Sequence, residues 1–163
     1  MHSTSTVLAT LLAAVLLLPV ACGGSGNGSS NASTPTPSPT PSPVVVTAQA
    51  TVAGKTMTIL TDTKGMTLYY CTPDKGGKIT CTAGCLAVWP PLLLPSGVTA
   101  ATGGPGVSGS FTTAANPDGK GTQILYNSWP LYYYVKDTKP GDTTGQNVGQ
   151  KWFVATPDLA AGS

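Results

Sequence analysis

Hydrophobic residues fall into three regimes along the chain: continuous over 7–20, without any large side chain over 23–43, and in short runs between polar, Gly-rich and Pro-rich stretches from Val44 onward. In the last region no apolar set at i, i+3, i+4 persists beyond two turns, which disfavours helices. Strand signals are frequent instead. Residues 44–46 are β-branched, and residues 56–61 alternate with Met57 and Ile59 on one side. Residues 62–65 predict a turn, and 66–71 the returning strand of a hairpin, Leu68 and Tyr70 on one face, Tyr69 and Cys71 on the other. Residues 96–109, rich in Gly, Ser, Ala and Thr, predict a surface connection. Beyond it come a turn at 116–119, a strand at 122–126, a turn at 127–128, a strand at 130–134, a turn at 139–142 and a last strand, Trp152–Val154. The expected fold class is all-β, a single compact domain over 44–163 in the form of a small sandwich or barrel-like body.

One unit occurs twice in that domain. Leu68-Tyr69-Tyr70-Cys71-Thr72-Pro73-Asp74 is answered by Leu131-Tyr132-Tyr133-Tyr134-Val135-Lys136-Asp137, and Trp89 and Trp152 each follow fifteen residues after the aspartate. The pairs 69/132, 74/137 and 89/152 are all 63 apart, as are Thr80/Thr143. Tyrosine and tryptophan are too scarce here for composition to produce that agreement, so duplication is the better explanation, with repeats at about 56–94 and 119–157.

The first apolar run is fourteen residues long, short for a membrane span and suited to the core of a signal peptide over 1–21. It stops at Ala21-Cys22-Gly23-Gly24, a junction that resembles the bacterial lipobox, in which the cysteine is acylated. The resemblance implies a lipid bilayer as partner through Cys22, on the extracytoplasmic side. The alternative is an ordinary secretory signal that leaves Cys22 a free thiol. Residues 22–43 predict a linker, a flexible Gly/Ser coil followed by proline at every other position from Pro35 to Pro43, which favours extended polyproline II.

Composition narrows the chemistry. All carboxylates are Asp and all cations are Lys; the chain has no Glu and no Arg, and its one histidine is His2 in the leader. A domain without His lacks the usual base for a serine or cysteine nucleophile and offers no imidazole to a metal. Scattered lysines without arginine forks do not suit nucleic acid. The expectation is no enzyme, no cofactor and no metal.

Several strings together carry a family resemblance: Tyr132-x-Tyr134-x-x-Asp137, Gly65-x-Thr67-Leu68-Tyr69, Cys81…Cys85 followed by Trp89-Pro90-Pro91, and Trp129-Pro130-Leu131-Tyr132. Over residues from about 56 to 155 the chain resembles the bacterial predicted lipoproteins, secreted repeats of unknown function with a Tyr-x-aromatic-x-x-Asp motif. In the first copy the aromatic position holds Cys71. The resemblance implies no particular activity.

Three residue sets remain. Cys81 and Cys85 are four apart and reach bridging distance only in a compact turn, about 6 Å in a helical turn against about 13 Å extended, so a bridge there leaves Cys71 unpaired. Bridges from Cys71 to either one, or a redox or soft-metal site of all three sulfurs, are the alternatives. Asp74 and Asp137 are expected to fix turns by accepting N–H groups one or two residues on, with a paired acid–base or Ca²⁺ role as the alternative. Among the aromatics, Tyr70 and Tyr133 are expected in the core, and Tyr69, Tyr132 and Tyr134 in hydrogen-bonded or exposed roles. The expected function is a membrane-anchored binding or structural module of the envelope, with an envelope polymer or small ligand as partner. The alternative is a redox-linked module using cysteines or tyrosines.

Overall fold

The computed structural model describes residues 42–163. The expected signal peptide, Cys22 and the linker up to residue 41 lie outside the described residues. Seven strands make three small antiparallel sheets: β1 (Val45–Val52) with β2 (Lys55–Asp62); β3 (Tyr69–Cys71) with β7 (Trp152–Val154); and β4 (Phe111–Ala115) with β5 (Thr122–Tyr126) and β6 (Trp129–Pro130). The strands do not close a barrel, and the only helical pieces among the described residues are 3-10 turns at Thr72–Asp74, Ala83–Ala87 and Val148–Gln150.

Each half begins with a hairpin. In the first, Val45 pairs with Asp62, and the strands reverse at Ala53 and Gly54, both at positive φ. Two residues with φ above zero match the twist of the flanking strands. In the second, Phe111 pairs with Tyr126. The expected return of 66–71 against 56–61 forms at its near end, where Asp62 N–H reaches Met66 C=O and Leu68 N–H reaches Leu60 C=O, both at 3.0 Å, while β2 pairs along its whole length with β1. A second hairpin partner was available in residues 45–52, whose alternation β2 matches over its whole length.

The two motif strands meet each other just beyond the residues at which each folds back on its own half, Leu68 to Leu60 and Leu131 to Ile124. Tyr69 N–H donates to Tyr132 C=O at 2.8 Å, and Tyr132 N–H to Tyr69 C=O at 2.9 Å, the two-way exchange of an antiparallel pair. Flanking bonds repeat with the halves exchanged. Ala155 N–H reaches Leu68 C=O at 2.8 Å where Leu92 N–H reaches Leu131 C=O at 2.9 Å; Thr72 N–H reaches Lys151 C=O at 2.9 Å where Val135 N–H reaches Val88 C=O at 3.0 Å. Each motif strand is therefore paired with the tryptophan segment of the other half, about an approximate two-fold axis between Tyr69 and Tyr132.

That placement buries both faces of the motif strands. Leu68 and Leu131 enter one cluster with Leu60, Ile124 and Leu92; Tyr69 and Tyr132 enter another with Trp89, Tyr134, Trp152 and Ile59. Tyr70 and Tyr133, expected in the core, lie half-buried at the rim of the leucine cluster, while Tyr69 and Tyr132 are fully buried. Face alternation holds, but the strand lies between two cores, so the larger burial falls on the face nearer the axis.

Candidate functional site

The residues of the repeated motif converge on that axis. Tyr69 Oη donates to Asp137 Oδ2 at 2.6 Å, and Tyr132 Oη donates to Asp74 Oδ2 at 2.6 Å. Each carboxyl is held on its other oxygen from its own half. Thr80 N–H donates to Asp74 Oδ1 at 2.9 Å and its hydroxyl at 2.5 Å; Thr144 N–H and hydroxyl reach Asp137 Oδ1 at 3.0 and 2.5 Å. One backbone N–H and two hydroxyls donate to each group, so each carboxyl accepts three bonds. Asp74 is fully buried and Asp137 nearly so. A buried carboxylate left without donors would be costly, so the pairing with the opposite half's tyrosine is what makes the burial tolerable.

The aspartates do organise chain, over a longer reach than expected. Their backbone donors lie six and seven residues on, and their tyrosines 58 and 68 residues away in sequence. The structural counterpart of Thr80 is Thr144, not Thr143, because the second loop carries one more residue before the threonine and one fewer before the tryptophan. The 63-residue offset flags Thr80 but matches it to Thr143; only an offset search allowing that slip would find Thr144.

Between the two couples lie the indoles. Trp89 and Trp152 stack with centroids 3.9 Å apart and planes 3° from parallel, each meeting the tyrosine of its own half edge-on, at 5.5 and 5.1 Å. Tyr134, expected in a hydrogen-bonded or exposed role, is buried and stacks on Trp89 at 4.3 Å. Its counterpart Cys71 is a buried free thiol paired in register with Trp152. Burial, then the nearby Asp74 carboxyl, pushes that thiol up to about 12. Burial first and the bonded carboxyl second push the phenols of Tyr69 and Tyr132 well above their ordinary range. Both phenols thus keep their protons as donors.

Cys81 and Cys85 stand at disulfide distance, Cα atoms 5.3 Å apart across the 3-10 turn that leads to Trp89. Where the first repeat has Cys81, one residue after its threonine, the second has Gly145; a Cβ there would meet Tyr69 ring atoms at 2.8 Å and Trp89 at 3.0 Å. Gly145 N–H also reaches the Tyr69 oxygen at 3.2 Å. A further polar pair escaped the sequence reading: Gln123, fully buried, donates to Leu131 C=O at 3.1 Å and accepts from Asn116 at 3.0 Å. Among the described residues no three of His, Cys, Asp and Glu converge as metal ligands, so the three sulfurs do not form a metal site there.

The motif side chains of both halves form one closed interior constellation, with the tyrosines and aspartates bonded to each other and the indoles sealed between them. A family model described as a secreted repeat of unknown function matches residues 50–93 and 112–156. No curated protein and no solved structure gives a match. Both matched segments take in part of the hairpin that opens each half, ahead of the motif strand. With two copies of the repeat covering more than half of its length, the chain belongs to this family of secreted repeats of unknown function.

Proposed function

We propose that the chain is a membrane-tethered, non-enzymatic module of the cell envelope, in which the repeated motif acts as a clasp and the outer surface does the binding or structural work. The observation that carries this reading is the reciprocal pair of buried bonds, Tyr69 to Asp137 and Tyr132 to Asp74. A motif whose polar groups are consumed by each other maintains shape, and a partner must be met elsewhere. A surface groove of about 390 Å³ between Val44, Asp62, Lys64, Leu92, Val98 and Tyr133 is of a size to take a small ligand or one unit of a polymer. It adjoins Ser42 and Pro43, where the described residues begin.

The tether reading rests on the junction at Cys22 and on the absence of bulky apolar residues over 23–43. Fractionation of cells expressing the full chain and its Cys22→Ser variant tests it. The parent is expected in the membrane fraction and the variant in the soluble one; equal partition would refute acylation. Pull-down with the Cys22→Ser variant against envelope polymers tests the binding role. Retention that survives Tyr69→Phe but is lost on Lys64→Ala with Tyr133→Ala is the expected outcome.

A further inference from the structure

The interior cluster has a property beyond holding the halves together. Tyr69, Trp89, Trp152 and Tyr132 form an unbroken series of rings with successive centroids 5.5, 3.9 and 5.1 Å apart, and Tyr134 stacks on Trp89 at 4.3 Å. At each end of the series a phenol donates to a buried carboxylate at 2.6 Å. We propose that this cluster is a one-electron oxidation site, at which an organic peroxyl radical reaching the protein withdraws an electron and leaves a neutral tyrosyl radical on Tyr69 or Tyr132.

The step balances within the cluster. The phenol loses one electron to the peroxyl radical, which becomes a hydroperoxide anion and takes its proton from solvent. The tyrosine O–H bond breaks, and an O–H bond forms at Asp137 Oδ2 or Asp74 Oδ2. The buried couple passes from one negative charge to none. Surroundings that oppose formation of a phenolate therefore favour this proton-coupled loss of an electron. Oδ1 keeps its threonine donors throughout, so the acid stays in place and hands the proton back when a phenol or hydroquinone supplies one electron. The near-parallel indoles connect the two ends, so either half can receive the hole. A third couple, Tyr133 to Asp62, is longer at 3.1 Å, half-buried and outside the ring series. It supplies an internal control.

The test is flash photolysis of the full chain with ruthenium tris-bipyridine and a sacrificial electron acceptor, read by electron paramagnetic resonance. The expected result is a neutral tyrosyl signal whose formation slows in D₂O, which is lost in the variant carrying Tyr69→Phe and Tyr132→Phe and retained in Tyr133→Phe. Circular dichroism melts establish that the double variant is folded. Mass spectrometry of the photolysed parent chain gives a readout independent of any substitution, with oxidation products expected on Tyr69 and Tyr132. An unchanged signal in the folded double variant, or products confined to Tyr70 and Tyr133, would overturn the proposal.

Discussion

Trp89 and Trp152, equivalent residues of the two repeats, stack on each other 3° from parallel within one buried cluster. Residues equivalent under duplication can face one another only on the axis that relates the copies. The Tyr69–Tyr132 backbone exchange lies on the same axis, so the repeat is read in space as well as in sequence. The shared interior implies that neither half keeps its polar groups satisfied alone: Asp74 needs Tyr132, and Asp137 needs Tyr69.

Removing one hydroxyl exposes that dependence. Tyr69→Phe leaves Asp137 Oδ2 buried without its donor and should cost about 1.5–3 kcal/mol. The melting temperature should fall by roughly 5–10 °C. In a double-mutant cycle with Asp137→Asn, a coupling of about 0.5–3 kcal/mol is expected, measured by urea denaturation. The same cycle built on Tyr69 and Asp74 should give a much smaller coupling.

Gly145 has no room for a side chain. Gly145→Ala places a Cβ against Tyr69 and Trp89, and the overpacking should cost about 1–3 kcal/mol. Gly141→Ala, with open space around its Cβ but φ +79, serves as the comparison: it tests backbone strain without the clash. Thermal melts of the two variants, with Gly145→Ala the less stable, are the check.

The thiols should divide sharply. In the folded protein Cys71 resists alkylation and Cys81 and Cys85 are bridged; after denaturation without reductant one thiol of the three becomes reactive. Iodoacetamide labelling followed by peptide mass spectrometry reads this out. Loss of the bridge in Cys81→Ser with Cys85→Ser should lower stability by only ~2 kcal/mol, since it closes a very short loop.

Alkaline pH should weaken the fold. The Cys71 thiol rises from its ordinary 9.0 to about 12 on folding, so the unfolded chain releases this proton first. Its contribution is complete below about pH 9 and is lost as pH rises towards about 12. The raised phenols of Tyr69 and Tyr132 act with the same sign from pH 10.0 upward. Urea midpoints should therefore decline above about pH 9, and Cys71→Ala should remove the earliest part of that decline.

Much of this architecture was legible from residue types and spacing. The 63-residue offset located both motif strands and both tryptophans, and the four-residue spacing located the Cys81/Cys85 turn. Pairing partners were not legible, because alternation says which residues share a face and not which strand lies alongside. Residues 66–68 do return against 60–62 as the hairpin pattern predicts, yet Tyr69–Cys71 pair with Trp152–Val154 of the other half. Phe111–Ala115 went unseen because Thr and Ala surround a single large residue. Tyr69 and Tyr132 do take the hydrogen-bonded role expected of them, but buried rather than exposed, and Tyr70 and Tyr133 are only half-buried, because a strand enclosed on both sides has no solvent face to contrast with its core face. The aspartates were read as local turn formers because partners 58 and 68 residues distant leave no local trace.

The most direct measurement is proton NMR of the two phenolic hydroxyls. Buried and bonded to carboxylates at 2.6 Å, Tyr69 and Tyr132 should each give a slowly exchanging resonance far downfield, with cross-relaxation to Thr144 in the first case and Thr80 in the second. Tyr69→Phe should delete one resonance and Tyr132→Phe the other. Hydroxyls that exchange with water too fast to observe, or that show contacts only within their own half, would contradict the reciprocal clasp.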